Sequence, residues 1–432
     1  MQAFAVVDLG FGDSGKGTIV DYLARKYNAT LVVRYNGGAQ ASHNVITPEG
    51  RHHAFSQFGS GTFAGAATYL SRFMVVSPPA FNKEAIQLPS AEVFVDSQAL
   101  VTTPYHQASN RLAEAGRGAF AHGTCGLGVG ETVRDALEAG LDALRVQDLT
   151  DQIRVRRKLK ATRDRLQAKW RGLPLLSARD KDILFGDDDS ILEWYLEQCS
   201  SFTGKIEITS IEVLDAALRS GTVIFEGAQG VLLDEWYGFH PYTTWSTTTL
   251  ANVSKLLQEC GCPHHPLERI GVTRSYMTRH GPGPFITEDP FLDLPDIHND
   301  SLGMQGRFRV GWTDLVMLRY ATKLCPVDWL AVTSADRIGL GWKIAKSYLF
   351  SEGEVPEMFE GTNSITGVRI KTDVTDLNYQ EHITEALRHC APQYTTVNER
   401  ELVVLLENEL DIPVRLLSYG PTAADKQERV PT

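Results

Sequence analysis

The N-terminal stretch limits the fold of this chain more than any other. Phe4 to Leu9 is a short apolar run typical of a buried strand, glycines follow at 10, 12, 15 and 17, and a helical pattern continues from Ile19. Glycines let the backbone approach an anion closely, and the start of a helix points N–H groups at it. The sequence therefore predicts a phosphate-binding loop directly after the first strand.

This loop nearly matches the P-loop motif. Gly10, Gly15 and Lys16 have the required spacing, but Gly17 stands where a Ser or Thr normally holds Mg²⁺. Asp13 adds a carboxylate, which repels a phosphate unless a cation or a proton-transfer role accompanies it. The loop indicates metal binding, base chemistry or both. The alternative is a glycine-packed corner between a strand and a helix.

Composition excludes several classes of protein. The net charge of −11 argues against general affinity for nucleic acid, and no apolar run reaches the roughly 18 residues that cross a membrane. The N-terminus lacks the basic and then apolar form of a signal peptide. Six cysteines in 432 residues are sparse and indicate free thiols. We expect a cytoplasmic protein with neither nucleic acid nor membrane as a partner.

The pattern along the chain predicts an α/β fold with a large, mostly parallel central sheet and helices on both faces. The further predicted strands are 31–35, 74–78, 93–96, 223–225 and a late strand that starts at 329 and ends in Asp336. Residues 150–220 are mainly helical and charged, and the basic run from Arg154 to Lys169 is typical of a solvated helix face. Without repeats or clear linkers, we expect residues 1–432 to form one elaborated domain with a helical insertion.

Several loops carry candidate site residues. A polar, Gly-rich loop from Asn36 ends in His43 and Asn44, which suits an acid or an anion contact. Residues 123–130 form a second Gly-rich cluster before a helix predicted over 131–141, a second candidate anion site. Gln229 follows a buried strand, and 241–249 are rich in hydroxyls.

The C-terminal half adds cations and one more turn. Arg279 lies in a Gly/Pro turn, and Arg307 and Arg309 form a fork suited to a carboxylate or a phosphate. Ser418 to Pro421 is a turn near the C-terminus. The cluster at 260–265 has no zinc spacing, so a loop is favoured over a metal site.

Taken in order, these motifs resemble the adenylosuccinate synthetase family over nearly the whole chain. They are Gly-Asp13-Ser-Gly-Lys16-Gly, Asn-Gly-Gly-x-x-x-x-His43, Phe-Glu-Gly-Ala-Gln229-Gly, Pro-Tyr-x-Thr244, Thr-Arg279-x-Gly-x-Gly-Pro-Phe, Gly-Arg307-x-Arg309, and Gly-Trp-x-Asp314 followed by Leu318-Arg319. The resemblance implies a homodimer and a carbon–nitrogen ligase that needs Mg²⁺. Such an enzyme condenses a 6-oxopurine nucleotide with L-aspartate through a 6-phosphoryl intermediate, driven by a nucleoside triphosphate. The default substrates are IMP and GTP, and the product is N6-succinyl-AMP.

The resemblance also implies roles for particular residues. Asp13 matches the base that takes the N1 proton, His43 the residue at the moving phosphoryl group, and Lys16 a catalytic cation. The metal ligands are Asp13 and the backbone carbonyl of Ser42. The residues matched to the nucleotides are Gly12, Ser14, Gly15, Gly17, Thr18, Asn36, Gly38, Thr124, Gln229, Thr244, Arg309, Asp336, Ser418 and Gly420. The residues matched to aspartate are Arg307, Gln305 and Met304.

The chain departs from the family pattern at positions that contact the substrates in the family. Ser14 replaces a glutamate, and Leu127 stands where an arginine usually contacts the nucleotide phosphate. Met304 and Gln305 replace two threonines of the aspartate loop. The segment 333–336 lacks a lysine that flanks guanine. The choice of purine, triphosphate and amino acid therefore stays open.

Two alternatives remain. One is a member that uses (d)GMP and ATP to make the 2-amino-N6-succinyl product, because Ser14 leaves room near C2. Against it, the phage enzymes of that kind replace the catalytic Asp, which is present here as Asp13. The other is a non-catalytic purine nucleotide sensor, against which the retained Asp13, Lys16, His43, Gln229 and Arg307 argue.

Overall fold

Strands and helices alternate along most of the computed structural model, which describes residues 2–174, 176–186, 188–294, 299 and 304–430. The strands are β1 (Gln2–Asp8), β2 (Leu31–Arg34), β3 (His43–Ile46), β4 (His52–Phe55), β5 (Ala67–Leu70), β6 (Val75–Val76), β7 (Val93–Asp96), β8 (Leu100–Val101), β9 (Glu207–Thr209), β10 (Thr222–Glu226), β11 (Leu267–Arg274), β12 (Met277–His280), β13 (Phe308–Gly311), β14 (Thr313–Asp314), β15 (Trp329–Thr333), β16 (Trp342–Phe350), β17 (Phe359–Glu360), β18 (Gly367–Val368), β19 (Cys390–Val397), β20 (Val414–Ser418) and β21 (Lys426–Glu428). The helices are α1 (Lys16–Tyr27), α2 (Pro78–Ala85), α3 (Pro104–Arg117), α4 (Val129–Ala139), α5 (Gln152–Trp170), α6 (Ala178–Phe185), α7 (Ser190–Thr203), α8 (Glu212–Ser220), α9 (Ala251–Glu259), α10 (Leu315–Leu324), α11 (Leu377–Leu387) and α12 (Glu399–Leu410).

Ten strands form the central sheet, in the order β21-β20-β15-β11-β1-β10-β2-β5-β7-β9. Every neighbouring pair is parallel except β20 and β21 at one edge. The first strand of the chain therefore lies inside the sheet, between β10 and β11. The prediction of a large, mostly parallel sheet is confirmed.

Both faces of this sheet are buried. Ala3, Ala5 and Val7 of β1 pack into the larger hydrophobic core on one face. Phe4 and Val6 point to the other face, where they meet the apolar residues of α1. Alternate residues of a strand point to opposite faces, so a central strand buried on both sides is apolar throughout. This explains the continuous apolar run that begins the sequence.

The region 150–220 contains helices α5 to α8 and one short strand. Leu159 of α5 and Tyr195 and Phe202 of α7 pack with residues of α2 and α3 in a separate core. Strand β9 pairs with β7 at the far edge of the central sheet. None of the helices in the described part of the chain combines the length and the apolar character that a membrane span requires.

The strand predicted at 74–78 was wrong in extent and place. Only Val75–Val76 is extended, and this strand pairs with β8 outside the central sheet. In the central sheet, the strand next to β2 is β5, a four-residue strand that the sequence pattern did not predict. The late strand ends at Thr333, and Ala335–Arg337 form a short 3₁₀ turn. The helix predicted over 131–141 begins at Val129 and ends at Ala139.

Candidate active site

A cavity of about 1380 Å³ opens beside the carboxyl ends of the parallel strands. Such edges are where α/β sheets bind ligands. The residues of the predicted site that line it are Gly12, Asp13, Gly15, Lys16, Gly17, Thr18, Ser42, His43, Thr124, Gln229, Thr244, Met304, Gln305, Asp336, Ser418 and Gly420. Five others do not line it: Ser14, Asn36, Gly38, Arg307 and Arg309.

Asp8, at the end of β1, organises the phosphate loop from below. Its carboxylate accepts hydrogen bonds from the backbone N–H of Gly10 (2.8 Å) and Ser14 (2.9 Å) and from Nζ of Lys16 (3.0 Å). Asp8 and Lys16 are both buried. A buried charge without a partner is costly, so Asp8 both fixes the loop and neutralises the lysine.

Side chains from later strands hold the outer side of the same loop. Arg274 Nε donates to the carbonyl of Asp13 (2.5 Å), and the Thr333 hydroxyl donates to the carbonyl of Ser14 (2.7 Å). Asp13 itself has a φ of +58°, a conformation that non-glycine residues rarely adopt. Backbone strain of this kind persists only where surrounding contacts enforce it, and it is common at functional sites.

The carboxylate of Asp13 faces the cavity with 36% of its side chain exposed. Burial by itself raises the pKa of Asp13, but the hydrogen bond and charge of His280, with the charge of Arg274, outweigh it and lower the pKa below its ordinary value. Asp13 is therefore ionised at neutral pH. It can accept a proton or contribute an oxygen to a cation.

His43 forms a buried pair with Glu226, the last residue of β10. Nδ1 of His43 lies 2.5 Å from Oε1 of Glu226, which also accepts a hydrogen bond from the Ser60 hydroxyl, while the backbone N–H of Ser60 donates to Oε2 of Glu226 (2.9 Å). Burial raises the pKa of Glu226 by itself, but the charge and hydrogen bond of His43 lower it to about 2. Burial lowers the pKa of His43 despite Glu226. The neutral imidazole thus donates its Nδ1–H to Glu226.

The other ring nitrogen of His43 is left for a ligand. His43 lines the cavity, and its Nε2 is buried without a hydrogen-bond partner among the described residues. A buried polar atom in that condition costs free energy unless something binds to it. An incoming anion would favour the imidazolium form, which donates from Nε2.

Gln229 and Asn36 form one unit at the loop after β10. Gln229 lines the cavity with a φ of +61°, and its Oε1 is buried without a partner among the described residues. Asn36 does not reach the cavity. Its side-chain amide donates to the carbonyl of Ala228 (3.0 Å) and accepts from the N–H of Ala228 (2.7 Å). Asn36 therefore fixes the backbone of Ala228, the residue that precedes Gln229.

Arg279 holds together the Gly/Pro turn after β12. It is buried, and its guanidinium donates to the carbonyls of Pro282 (3.1 Å) and Pro284 (2.8 Å). A Cβ at Gly283 would lie 2.1 Å from Nη2 of Arg279, so this close approach requires a glycine. The guanidinium predicted in this turn therefore stabilises the backbone around it, and Arg279 also lines the cavity.

Glu288 bridges the two arginines of the predicted carboxylate fork. Its oxygens lie 2.9 Å from Arg307 Nη2 and 2.8 Å from Arg309 Nη1. The Arg307 side chain is 66% exposed, whereas that of Arg309 is 13% exposed and also donates to the carbonyl of Gly283. Glu288 therefore fixes the fork while leaving donors of Arg307 available.

Another part of the cavity lining joins α1 to the C-terminal segment of the chain. The Thr18 hydroxyl donates to the carbonyl of Pro421 (2.7 Å), and Lys426 Nζ donates to the carbonyl of Gly420 (2.9 Å). Burial lowers the pKa of Lys426 to about 8. Asp336 lines this part of the cavity beside Arg337, 3.1 Å away. The C-terminal turn is thus built onto the helix that follows the phosphate loop.

Five functional candidates were missed by the sequence reasoning: Asp8, Glu226, Arg274, His280 and Glu288. Asp8 and Glu226 carry a usable signal, because each is a carboxylate that ends a buried apolar strand. The other three meet their partners only through the tertiary fold. No sequence pattern of spacing predicts those contacts.

The donor set fits a magnesium ion that arrives with a nucleotide. Among the described residues, no group of three or more His, Cys, Asp or Glu side chains could hold a metal. Asp13 and Ser42 nevertheless both line the cavity beside the phosphate loop. Mg²⁺ often takes one or two protein oxygens and completes its shell with phosphates and water, which matches this sparse set.

A phosphate loop at the carboxyl edge of a parallel sheet marks the chain as a nucleotide-dependent α/β enzyme. The family model for adenylosuccinate synthetase matches residues 5–426. The adenylosuccinate synthetase of Thermoplasma acidophilum is 32% identical over 373 residues, covering 84% of this chain and 82% of its own. That of Fusobacterium nucleatum is 30% identical over 437 residues, covering 98% and 97%. The chain belongs to the adenylosuccinate synthetase family, whose members are ligases that form a carbon–nitrogen bond.

Two solved structures share the fold. Fully ligated adenylosuccinate synthetase from Plasmodium falciparum matches with a TM-score of 0.77 at 19% identity, covering 100% of both chains. The succinoaminodeoxyadenylate synthetase of cyanophage S-2L, bound to dGMP and dATP, matches with a TM-score of 0.57 at 18% identity, covering 99% of this chain and 95% of that one. The resemblance read from the motifs, the fold class and the ligase class are confirmed.

Proposed function

We propose that this enzyme condenses IMP with L-aspartate at the expense of GTP, through a 6-phosphoryl intermediate, to give N6-succinyl-AMP, GDP and phosphate. One observation carries the proposal. Asp13 and His43 face the same cavity as Lys16, and each of the first two is held by a second side chain, His280 or Glu226. A base and an anion-stabilising imidazole beside a phosphate loop are what this reaction needs.

Asp13 activates the purine. The C6 oxygen is a poor leaving group, so it must first be phosphorylated. Removal of the N1 proton by Asp13 makes O6 nucleophilic, and O6 then takes the γ-phosphoryl group as the diphosphate leaves. The hydrogen bond and charge of His280 outweigh burial and lower the pKa of Asp13, so the carboxylate is ionised at neutral pH before the purine binds.

His43 and Lys16 stabilise the charge that moves with the phosphoryl group. As the phosphoryl group approaches Nε2 of His43, its charge favours the imidazolium, which Glu226 already supports from Nδ1. Lys16 is positioned on Asp8 and can exchange that partner for phosphate oxygens. Mg²⁺, held by Asp13 and the Ser42 carbonyl, supplies charge neutralisation at the phosphates when bound.

The amine of aspartate then attacks C6, and phosphate leaves with the C6 oxygen. We assign the aspartate carboxylate to Arg307, with Met304 and Gln305 in the wall beside it. Arg307 does not line the cavity, but its side chain is 66% exposed and held by Glu288, so donors remain for a carboxylate, which supports this assignment. Gln229 and Thr244 contact the purine nucleotide, and Asp336 with the turn at Ser418 and Gly420 receives the base of the triphosphate.

A substrate matrix tests the proposal. The enzyme is incubated with Mg²⁺, L-aspartate and each of IMP, dIMP, GMP and dGMP against GTP and ATP, and phosphate release is followed. We expect aspartate-dependent release, fastest with IMP and GTP. Fastest release with dGMP and ATP would instead assign the substrate-shifted activity, and no release from any pair would support a nucleotide sensor. Asp13→Asn should bind nucleotides but lose turnover by roughly a hundredfold or more, as expected for loss of a base.

We also propose that the enzyme is a cytoplasmic homodimer built from one elaborated domain. Large apolar side chains are exposed at Phe120, Leu137, Leu141 and Ile153, which supports a surface covered by a second copy. The cysteines of the described chain are unpaired, as is usual in a reducing compartment. A central sheet with strands from 2 to 428 supports a single domain. Sedimentation equilibrium measures the mass of the assembly directly.

A further inference from the structure

One wall of the cavity is built by helices α4 and α5 rather than by loops at the strand ends. Arg134 of α4 and Lys169 and Trp170 at the end of α5 line it. We call these three residues the α4–α5 wall. The reaction derived above uses none of them, although the wall belongs to the same continuous cavity as Asp13 and His43.

The α4–α5 wall carries two cations around one covered carboxylate. Arg134 Nη2 lies 2.6 Å from Oε2 of Glu131, and Lys169 Nζ lies 3.0 and 2.9 Å from its two oxygens. The Glu131 side chain is 11% exposed, whereas those of Arg134 and Lys169 are 29% and 28% exposed. Glu138, 3.8 Å from Arg134, is exposed and lies outside the cavity lining. Glu131 itself also lines the cavity, so two positive side chains and one negative side chain leave this part of the lining with a net positive charge.

Arg134 retains a donor for a further acceptor, and Lys169 can exchange its longest contact, 3.4 Å from Nζ to the Ser109 hydroxyl, for one. Arg134 Nε is buried and has no hydrogen-bond partner among the described residues. Burial lowers the pKa of Lys169 because the ammonium loses its hydration, and the hydrogen bond and charge of Glu131 make up for only part of that loss. An anion entering the cavity would satisfy the Arg134 donor and stabilise the ammonium.

The neighbouring Gly-rich loop is less available to an anion than the sequence indicated. The N–H groups of Gly123 (2.6 Å) and Thr124 (3.1 Å) already donate to Glu114, and that of Gly128 donates to Asn110 (3.3 Å). Leu127 contributes no charge and does not line the cavity. The positive charge in this part of the cavity comes from the α4–α5 wall and from Arg117, which also lines the cavity but is paired with Glu114 (2.9 Å).

The loop that carries Thr244 connects the nucleotide to this wall. Trp245 packs on the start of α4, since a Cβ at Gly130 would lie 3.2 Å from its Cδ1 atom. Gly130 and Arg134 are four residues apart, so they lie on the same face of the helix, one turn from each other. Trp245, the residue that follows Thr244, therefore packs on α4 one turn from Arg134.

We propose that Arg134 and Lys169 bind the phosphate group of the purine monophosphate substrate. The inference rests on the proposed function and assigns the phosphate to two residues, one from α4 and one from the helical insertion. A guanidinium and an ammonium that share a carboxylate can turn part of their donors to a phosphate dianion without losing Glu131. The enzyme would thereby select nucleoside monophosphates over nucleosides.

Kinetics with matched substrates tests this assignment. The active monophosphate is compared with its unphosphorylated nucleoside for the wild type, Arg134→Ala and Lys169→Ala. We expect each substitution to raise the KM for the monophosphate roughly tenfold or more, as for loss of one charge-assisted hydrogen bond. The ratio of kcat/KM for the monophosphate to kcat/KM for the nucleoside should fall accordingly. The KM for the triphosphate is the internal reference. Lys160→Ala removes an exposed lysine of the same helix outside the cavity and is the matched control.

Glu131→Gln separates a binding role from a structural one. If Arg134 and Lys169 bind the phosphate, removing the competing carboxylate should lower the KM for the monophosphate even where the melting temperature falls. If they serve only to hold helices together, the melting temperature changes and the KM does not. That result, or an unchanged KM in both alanine variants, overturns the proposal. So does equal use of nucleoside and monophosphate by the wild type.

Binding without turnover keeps the two proposals distinguishable. Calorimetric titration of the monophosphate into the wild type and the variants requires no reaction. Weaker binding in the alanine variants of a protein that releases no phosphate would support the subsite while refuting the proposed function. Equal binding in all of them would refute the subsite whatever the activity.

Discussion

Nε2 of His280 lies 3.2 Å from Oδ2 of Asp13. The same nitrogen lies 2.9 Å from Oδ1 of Asn299, and the ring packs against Phe308 at 4.9 Å between centroids. His280 and Phe308 face each other across the β12–β13 hairpin. The orientation of the carboxylate in the phosphate loop is thus set by a hairpin from the other half of the chain.

Replacing His280 should impair turnover more than binding. In His280→Ala, Asp13 loses the contact that orients its carboxylate, so we expect kcat to fall on the order of tenfold, since small misplacements of reacting groups are costly. The KM for the triphosphate should change little. His280→Asn, which keeps an N–H donor, should recover part of kcat. Equal kcat in the alanine variant and the wild type would remove His280 from the site.

Glu226→Gln should leave a folded enzyme with a slow phosphoryl transfer step. The amide cannot stabilise an imidazolium, so His43 loses the charge that supports its protonated form. We expect kcat to fall on the order of tenfold or more, measured by steady-state phosphate release.

A second buried pair provides the control for this change. Oε1 of Glu84 lies 3.3 Å from Nε2 of His53, and Glu84 is also buried and does not line the cavity. Glu84→Gln should alter the melting temperature without altering kcat. A similar loss of kcat in both variants would show that the effect of Glu226 is one of stability.

Gly17→Ser should inactivate the enzyme, even though it restores the hydroxyl of an ordinary P-loop. A Cβ at Gly17 would lie 2.8 Å from Cβ of His43 and 3.1 Å from the carbonyl of Asn44, so the side chain would push the imidazole away. We expect lower kcat and a lower melting temperature. The control is Gly116→Ala, in helix α3 with open space around it, which should leave kcat unchanged and the fold equally stable or more so. A Gly17→Ser enzyme with improved magnesium affinity and full activity would contradict this account of the loop.

The free energy of unfolding should fall as pH rises from about 4 to about 6, because buried Asp314 loses its proton over this range. Asp314 is buried at the start of α10, and burial raises its pKa from 3.8 to about 6 despite the hydrogen bond from Tyr348. The folded state therefore holds this proton to a higher pH than the unfolded chain does. Stability present below pH 4 is lost as pH passes the folded-state pKa, by about 3 kcal/mol at most.

Asp314→Asn removes this titration and isolates its contribution. Urea unfolding at pH 4, 5, 6 and 7 should show the variant gaining stability relative to the wild type as pH rises. Asp376→Asn, which removes an exposed capping carboxylate from α11, is the control. A difference between wild type and Asp314→Asn that is constant over this range would contradict the raised pKa.

Much of the fold could be predicted from short-range sequence patterns. The apolar run before the phosphate loop and the alternation of strands with helices were enough to predict a parallel sheet covered on both faces, because a strand buried on both sides has no polar face. The short strands β5 and β9 were missed. Each has four residues or fewer and joins the sheet through pairing that only the assembled neighbours define.

The site divides in the same way. Asp13, Lys16 and His43 lie in motifs whose residue types and spacing carry the chemistry, so the sequence identified them as candidates. Their partners His280 and Glu226 come from distant strands, and no local pattern joins them. The sequence also did not predict that Arg307 lies outside the cavity lining, or that it pairs with Glu288, 19 residues away.

The central position of β1 affects how the protein is made. Its two neighbours, β10 and β11, end at Glu226 and Arg274, so the first strand synthesised has both edges unpaired until more than half of the chain has left the ribosome. An apolar strand with open edges is a template for aggregation, and long-range parallel pairing forms slowly. We therefore expect the nascent chain to depend on chaperones until β11 emerges, and to gain affinity for nucleotide only after synthesis is nearly complete.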